Sequence, residues 1–330
     1  MLHGKQRRED ADMAKVSFNF GMMSSRNATG SKIEELADRY ENVWALAADT
    51  GGSLASFRVN HEDRFVDVGI AEQNLMGVAA GLALEGNVCF VMGMIPFMTM
   101  RACEQVRTAI CYQNLPVRLI GTGGGLTSGG GSTHNAMEDV AIMRTLVNMT
   151  VISIADPQQI GNILEDSMTY PGPMFLRLAQ GKGERVIYPE GSVRYEIGKG
   201  HLARDGADLT VFAHGQMVAE SLDAAEELSE EGIDIQVVDM YSIKPIDADL
   251  ILSCTAKTGK VIAYEDHLMY GGLASAISDV YSDNGVYPTM FKRMGIPQVY
   301  AGFGSGDEQR TKYGYDKASL IKNIKEMLGK

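Results

Sequence analysis

Two rhythms of apolar residues run along the chain. Short uninterrupted apolar runs have the length of strands: VWALAAD (Val43 to Asp49), NVCFVMG (Asn87 to Gly93), LPVRLIG (Leu115 to Gly121), MTVISIAD (Met149 to Asp156) and GPMFLRLAQ (Gly172 to Gln180). Between them, apolar residues recur at helical spacing in SKIEELADRY (Ser31 to Tyr40), from Ala71 to Leu84, and in RACEQVRTAICY (Arg101 to Tyr112). Runs apolar on both faces and separated by helices predict a mostly parallel sheet covered on both sides. The pattern lapses from Gly181 to Gly200, where Gly, Pro and charge take over, and this stretch reads as a linker. A second series follows: strands at Asp208 to Gly215, Asp234 to Met240 and Lys260 to Asp266, with helices at Met217 to Gly232, near Ala248 to Thr258, and at Gly271 to Asp283. A closing helix starts after Asp316, whose carboxylate suits an N-cap. The expected fold class is α/β in two domains, residues 15–190 and 191–330, preceded by a disordered extension over 1–14.

The segment from Asn74 to Met98 is apolar for about a bilayer's thickness. Glu85, Gly86 and Asn87 interrupt it, so a buried helix followed by a buried strand is expected and no membrane span. At 330 residues, with 45% apolar and 22% charged residues, the chain has material for two cores. A net charge of −12 excludes nucleic-acid binding as the main task, because phosphate contacts need a basic surface. Four cysteines without CxxC spacing fit reduced thiols in a cytoplasmic protein, and the opening MLHGKQRREDADMAKVSF lacks the apolar core of a signal peptide. His3, His61, His134, His201, His214 and His267 are scattered, so no metal site is expected in this chain.

In open α/β sheets ligands gather at the carboxyl ends of strands. The loops at such positions run from Asp49 to Ser53, Val68 to Asn74, Gly93 to Phe97, Arg177 to Lys182, and through the glycine-dense LIGTGGGLTSGGGSTHNAMED (Leu119 to Asp139). GIAEQN places Glu72 at the start of an apolar helix. Taken alone, that position favours a carboxylate answering the positive end of a helix. The alternative is a buried carboxyl with raised pKa that shares a proton with a ligand. The glycine run carries no Lys-Ser/Thr, which excludes a P-loop, and no dinucleotide fingerprint opens the first strand–helix unit. His134 is open to two readings, a loop histidine with a structural hydrogen bond or a functional group.

VDVGIAEQNLMGVAAGLALEG, RACEQVRTAICYQNLPVRLIG, THNAMEDVAIMRTLVNMTVISIADPQQ and YEDHLMYGGLASAI occur in an order and at spacings that resemble the C-terminal half of a transketolase. The resemblance is to the split form, in which that half is a separate subunit, and it runs from about Ser25 to the C-terminus. It implies a thiamine pyrimidine-binding parallel-sheet domain followed by a transketolase C-terminal α/β domain. It also implies transfer of a two-carbon ketol unit from a ketose to an aldose with thiamine diphosphate. A partner N-terminal subunit would hold Mg²⁺ and the diphosphate through Gly-Asp-Gly and Asn ligands that this chain lacks. The expected assembly is a heterotetramer of two chains of each kind. Carried over residue by residue, the resemblance makes Glu72 and His134 catalytic, Glu72 by sharing a proton with the cofactor's pyrimidine. Phe97, Met94 and Ile70 would contact the cofactor; Arg26, Ser53, Arg177 and His134 would bind the sugar phosphate or a sulfonate in its place. Asp49 matches a subunit-interface acid.

The chain also departs from that family's pattern. Where the family has Gly-Glu-Asp-Gly-x-Thr-His, residues 128–134 read SGGGSTH, so the sugar-reading aspartate falls on Gly130 and an upstream histidine on Thr122. An altered donor or acceptor is expected, such as a branched, deoxy or sulfonated ketose analogue. Two other readings are the beta chain of a 2-oxoacid dehydrogenase decarboxylase component and a non-catalytic partner that has kept the fold.

Overall fold

The computed structural model describes residues 18–127, 130–179 and 183–330. The expected disordered extension over 1–14, together with Ser128, Gly129 and Lys182, lies outside the described residues.

The first domain is built on a seven-stranded sheet. Its strands are β1 (Val43–Ala47), β2 (Phe65–Asp67), β3 (Val88–Met94), β4 (Val117–Thr122), β5 (Thr150–Ser153) and β6 (Met174–Arg177), all parallel, joined by a seventh strand from further along the chain. Every residue of β4, β5 and β6 is buried, as expected of strands covered on both faces. Helix α1 (Ser25–Arg39) begins well before the apolar repeat shows, because the Ser24 hydroxyl caps it by accepting Asn27 N–H at 3.3 Å. Helix α2 (Glu72–Leu84) and β3 divide the long apolar segment as the interruption at Glu85 predicts. The helical run Phe97–Cys111 (α3) starts upstream of Arg101 and contains two π-helical stretches, Phe97–Arg101 and Val106–Cys111. A six-residue helix, Ala55–Asn60, and helices α4 (Asp139–Thr145) and α5 (Gln159–Ser167) complete the domain; α4 is too short to display a clear apolar repeat, whereas α5 buries Ile160, Ile163 and Leu164 on one face.

The second domain is a five-stranded sheet. Strands β8 (Leu209–Ala213), β9 (Ile235–Asp239), β11 (Lys260–Leu268) and β12 (Met290–Ile296) are parallel, and β7 (His201–Arg204) lies antiparallel against β9 at one edge. Helices α6 (Met217–Glu230), α7 (Ala248–Thr258), α8 (Leu273–Asn284), α9 (Gly306–Tyr313) and α10 (Lys317–Leu328) surround it. Asp316 caps α10 by accepting Ser319 N–H at 2.9 Å. Among the described residues no helix is long and apolar enough to cross a membrane.

The two halves are interlocked. Strand β10 (Ser242–Lys244) leaves the second domain and pairs antiparallel with β5, becoming the edge of the first sheet. Lys244 Nζ then donates to the Arg144 and Leu146 carbonyls at 2.9 and 2.6 Å. One hydrophobic core runs from Ile33 and Leu36 through Ile187 and Tyr188 to Val211 and Ile324, across both domains.

Between the domains, Asp239 at the end of β9 is fully buried. It accepts Gln159 Nε2 at 2.8 Å and the Tyr188 hydroxyl at 3.3 Å. Burial pushes its carboxyl up to about 8, with the neighbouring Asp156 charge acting in the same direction. Between about pH 4 and pH 8 the folded chain therefore holds a proton that the unfolded chain has released. Stability from this site falls as pH rises through that window and levels off above it. Asp239→Asn removes the titration. Denaturation of both proteins from pH 5 to 9 is expected to show the variant gaining on the wild type as pH rises; parallel profiles would contradict the assignment.

Candidate active site

Three loops at the carboxyl ends of strands on one side of the sheet converge. The loop after β2 leads into Glu72, the first residue of α2; α3 begins at Phe97 just beyond β3; and the glycine-rich loop after β4 carries His134. Glu72 is 3% exposed although it stands at a helix start, so it is a buried carboxylate and not a solvated helix-end charge. Arg101 Nη1 meets its Oε2 at 2.7 Å. The same guanidinium lies 4.3 Å above the Phe97 ring, and the Phe97 edge meets the His134 ring at a centroid distance of 5.3 Å and 79°. Glu72, Arg101, Phe97 and His134 thus form one continuous array of acid, cation, aromatic ring and imidazole. The π-helical turn Phe97–Arg101 builds this contact, with the two residues one turn apart. Met94 is half-buried at the end of β3, and Ile70, two residues before Glu72, is 70% exposed.

The glycine-rich loop folds back on itself. Gly125 and Ala136 exchange backbone hydrogen bonds of 2.8 and 3.1 Å, and the Thr133 hydroxyl sits 2.8 Å from His134 Nδ1. A Cβ at Gly130 would fall 2.8 Å from the Cβ and Cγ of His134. In this loop geometry the imidazole occupies the space that a side chain at 130 would need, so the missing aspartate and the histidine position are linked. Asn135 is 3% exposed, and neither its Nδ2 nor its Oδ1 has a hydrogen-bond partner among the described residues. Thr122, where the family has a second histidine, is 9% exposed at the end of β4.

Ser53 packs on α1 at Gly30, one turn beyond Arg26. Gly30, four residues after Arg26, touches Ser53 so closely that a Cβ there would fall 1.8 Å from the Ser53 carbonyl oxygen. The Ser53 hydroxyl contacts Met92 Sδ of β3 at 3.5 Å, and Arg26 Nε is enclosed without an acceptor among the described residues. Asp49 is exposed, in a left-handed backbone conformation, with its N–H bonded to Asp67 Oδ1 at 3.1 Å.

Arg177 does not join them. It is 4% exposed at the end of β6, and its Nε donates to Asp139 Oδ2 at 2.7 Å. Its Nη2 donates to the Asp266 carbonyl at 2.7 Å, with the Ala136 carbonyl at 3.5 Å. Burial opposes its charge, but Asp139, Asp266 and Glu265 more than offset that and hold its pKa above the ordinary value. The guanidinium lies against Gly124, where a Cβ would approach Cζ to 2.7 Å. Arg177, expected to bind the sugar phosphate, is in this structure paired with protein groups beneath the glycine-rich loop.

Sequence reasoning missed Arg101 and Asp139. The four-residue spacing from Phe97 to Arg101 and the acid opening a helix at Asp139 are the signals that could have found them. A cleft of about 660 Å³ opens between the domains, lined by Ser25, Thr127, Ala179, Gln216, Asp307 and Arg310 among others, and none of Glu72, Phe97 or His134 lines it. Among the described residues no group of three or more His, Cys, Asp or Glu is placed to hold a metal ion.

Two families match the chain: "Transketolase, pyrimidine binding domain" over residues 21–184 and "Transketolase, C-terminal domain" over residues 198–320. A putative transketolase C-terminal section from Methanocaldococcus jannaschii is 38% identical over 92% of this chain and 96% of its own length. A 6-deoxy-6-sulfo-D-fructose transketolase subunit from a Clostridium species is 34% identical over 89% and 91% of the two chains. One of the subunits of an apulose-4-phosphate transketolase from Phocaeicola vulgatus is 32% identical over 94% and 99%. A solved structure described as a split gene transketolase, inactive beta4 tetramer, superposes with a TM-score of 0.82 at 36% identity, covering 94% of this chain and 99% of the other.

Arg177→Met leaves Asp139 buried without its cation and is expected to lower the unfolding free energy by about 3–5 kcal/mol. Adding Asp139→Leu should recover at least half of the loss. Urea denaturation of the single and double variants checks this; a single-variant loss below about 1 kcal/mol would contradict the role given to Arg177.

Proposed function

The chain belongs to the transketolase family, and from that premise we propose that it is the C-terminal subunit of a split transketolase. It transfers a two-carbon ketol unit from a ketose phosphate or analogue to an aldose, together with an N-terminal subunit that holds Mg²⁺ and the diphosphate. The contact of Glu72 with Arg101, of Arg101 with Phe97 and of Phe97 with His134 at the carboxyl ends of the sheet's strands carries this reading. The relatives named for sulfofructose and for apulose phosphate support a non-standard sugar, as does the absence of a side chain at Gly130. The structural neighbour, an inactive assembly of beta chains alone, supports a required partner and self-association of this subunit within a heterotetramer.

Thiamine diphosphate use follows from the family, and the residues present fit one half of that group. A buried carboxyl suits a ring nitrogen, an aromatic residue near it suits a flat heterocycle, and Ile70, two residues before Glu72, offers exposed apolar surface. When bound, the cofactor supplies the nucleophilic carbon and the electron sink for the carbon–carbon bond chemistry. Glu72 holds or shares the proton at the pyrimidine nitrogen, and its burial keeps that exchange from solvent. Phe97 and Met94 orient the ring. Arg101 fixes the orientation of the Glu72 carboxylate by its ion pair. His134, steadied by Thr133 and by the Phe97 edge, faces the donor's carbonyl and hydroxyl region as a hydrogen-bond donor or acceptor. Arg26 and Ser53 receive the distal anion of the sugar, phosphate or sulfonate, by charge-assisted hydrogen bonds.

In the assembly reconstituted with its partner, Glu72→Gln is expected to lower kcat by about 100-fold or more while shifting the thermal midpoint little. Turnover close to that of the wild type would remove Glu72 from the mechanism. Arg26→Ala should raise KM for a phosphorylated or sulfonated ketose by about tenfold with kcat nearly unchanged, and leave uncharged ketoses unaffected. Turnover of 2-oxoacids in place of ketose donors would favour the 2-oxoacid dehydrogenase reading.

A further inference from the structure

The second domain reaches the loop that carries His134, and it does so through Asp266 and Leu268 at the end of β11. Asp266 is 1% exposed. Its Oδ1 accepts the Leu126 backbone N–H at 3.2 Å and the Tyr315 hydroxyl at 3.0 Å; its Oδ2 accepts the Gln216 side-chain amide and lies 3.9 Å from Arg310 Nη1. Gly125 turns in the left-handed region, φ +73°, directly against this carboxylate, and a Cβ there would fall 2.1 Å from Asp266 Cγ. Two residues on, Leu268 N–H donates to the Met137 carbonyl at 2.9 Å, at the far end of the same loop. Phe303, from the loop before α9, lays its ring on Gly131, where a Cβ would meet it at 2.2 Å. Arg177, under Gly124, is bonded to the Asp266 carbonyl. The loop is thus fixed at its start, apex and finish by one domain, with a buried charge at the start.

We propose that Asp266 is a positioning residue: its carboxylate sets the conformation of the glycine-rich loop and so places His134. A buried carboxylate that accepts a backbone N–H is a strong, directional constraint. Gly123, Gly124 and Gly125 supply little rigidity of their own, so the loop takes its shape from what it is bonded to. The inference rests on the reading of His134 as a substrate-facing group, but its first test needs neither substrate nor partner.

The test is hydrogen–deuterium exchange on the full chain, comparing wild type, Asp266→Ala and Asp266→Asn. Asp266→Ala is expected to speed exchange at least tenfold at the amides of residues 124–127 and 130–137, while peptides from β8 and β9 keep wild-type protection. Asp266→Asn keeps an acceptor for the Leu126 N–H and should fall between the two. Unchanged loop protection in Asp266→Ala overturns the proposal, as does deprotection spread evenly over the second domain. If Asp266→Ala fails to fold, Tyr315→Phe, which removes one bond to the same oxygen, is read in its place with the same two outcomes. In the reconstituted assembly the loop-loosened variant should lose kcat at least tenfold with thiamine diphosphate affinity within threefold of wild type. A kcat within twofold of wild type despite a loosened loop refutes the placement of His134 by Asp266 while leaving the loop result standing.

Discussion

A guanidinium sealed from water has to be neutralised and hydrogen-bonded on every side, and around Arg177 that requirement draws both domains together. Its partners are a carboxylate at the start of α4 and carbonyls of Ala136 and Asp266, the last from the second domain. None of these groups can drift without leaving charge unpaired in a low-dielectric interior. The end of β6, the start of α4 and the end of β11 are therefore fixed relative to one another, and Gly124 is the residue that lets the loop pass over the guanidinium. The interlocking edge strand β10 and the shared core add area, but the charge sets the register.

From that junction the site follows. The glycine-rich loop, held at both ends, turns His134 toward the Phe97 edge, and α3 carries Arg101 back over Phe97 to Glu72. The result is a line of functional groups along one rim of a sheet. Exposed Ile70 beside Glu72, and Met100 beside Arg101, leave apolar surface on that rim for a partner chain to cover. The open cleft between the domains lies elsewhere, beside the residues that hold Asp266.

Much of the fold was legible because its strands are short, apolar runs and its longer helices keep a clear repeat; α2, β3, α7 and α10 fall where the pattern puts them. What stayed hidden was short or non-local. Helix α4 has seven residues, β10 three, and the π-helical turn at Phe97 has no period of its own to read. For the site, position at strand ends together with family resemblance pointed to Glu72, Phe97 and His134. The buried pairing of Arg177 was not legible because an arginine at the end of a strand looks the same in sequence whether it faces a ligand or a buried aspartate. Asp139 and Asp266, which decide the matter, lie 38 and 89 residues away along the chain.

The central claim is that this chain holds half of a cofactor site and that Glu72 belongs to it. Calorimetric titration of thiamine diphosphate with Mg²⁺ tests it most directly, with this chain alone, with its N-terminal partner, and with the partner plus the Glu72→Ala variant. The account predicts tight binding only to the wild-type pair and weakened binding to the variant pair. Equally tight binding to the isolated chain, or no binding to the assembled pair, would contradict it.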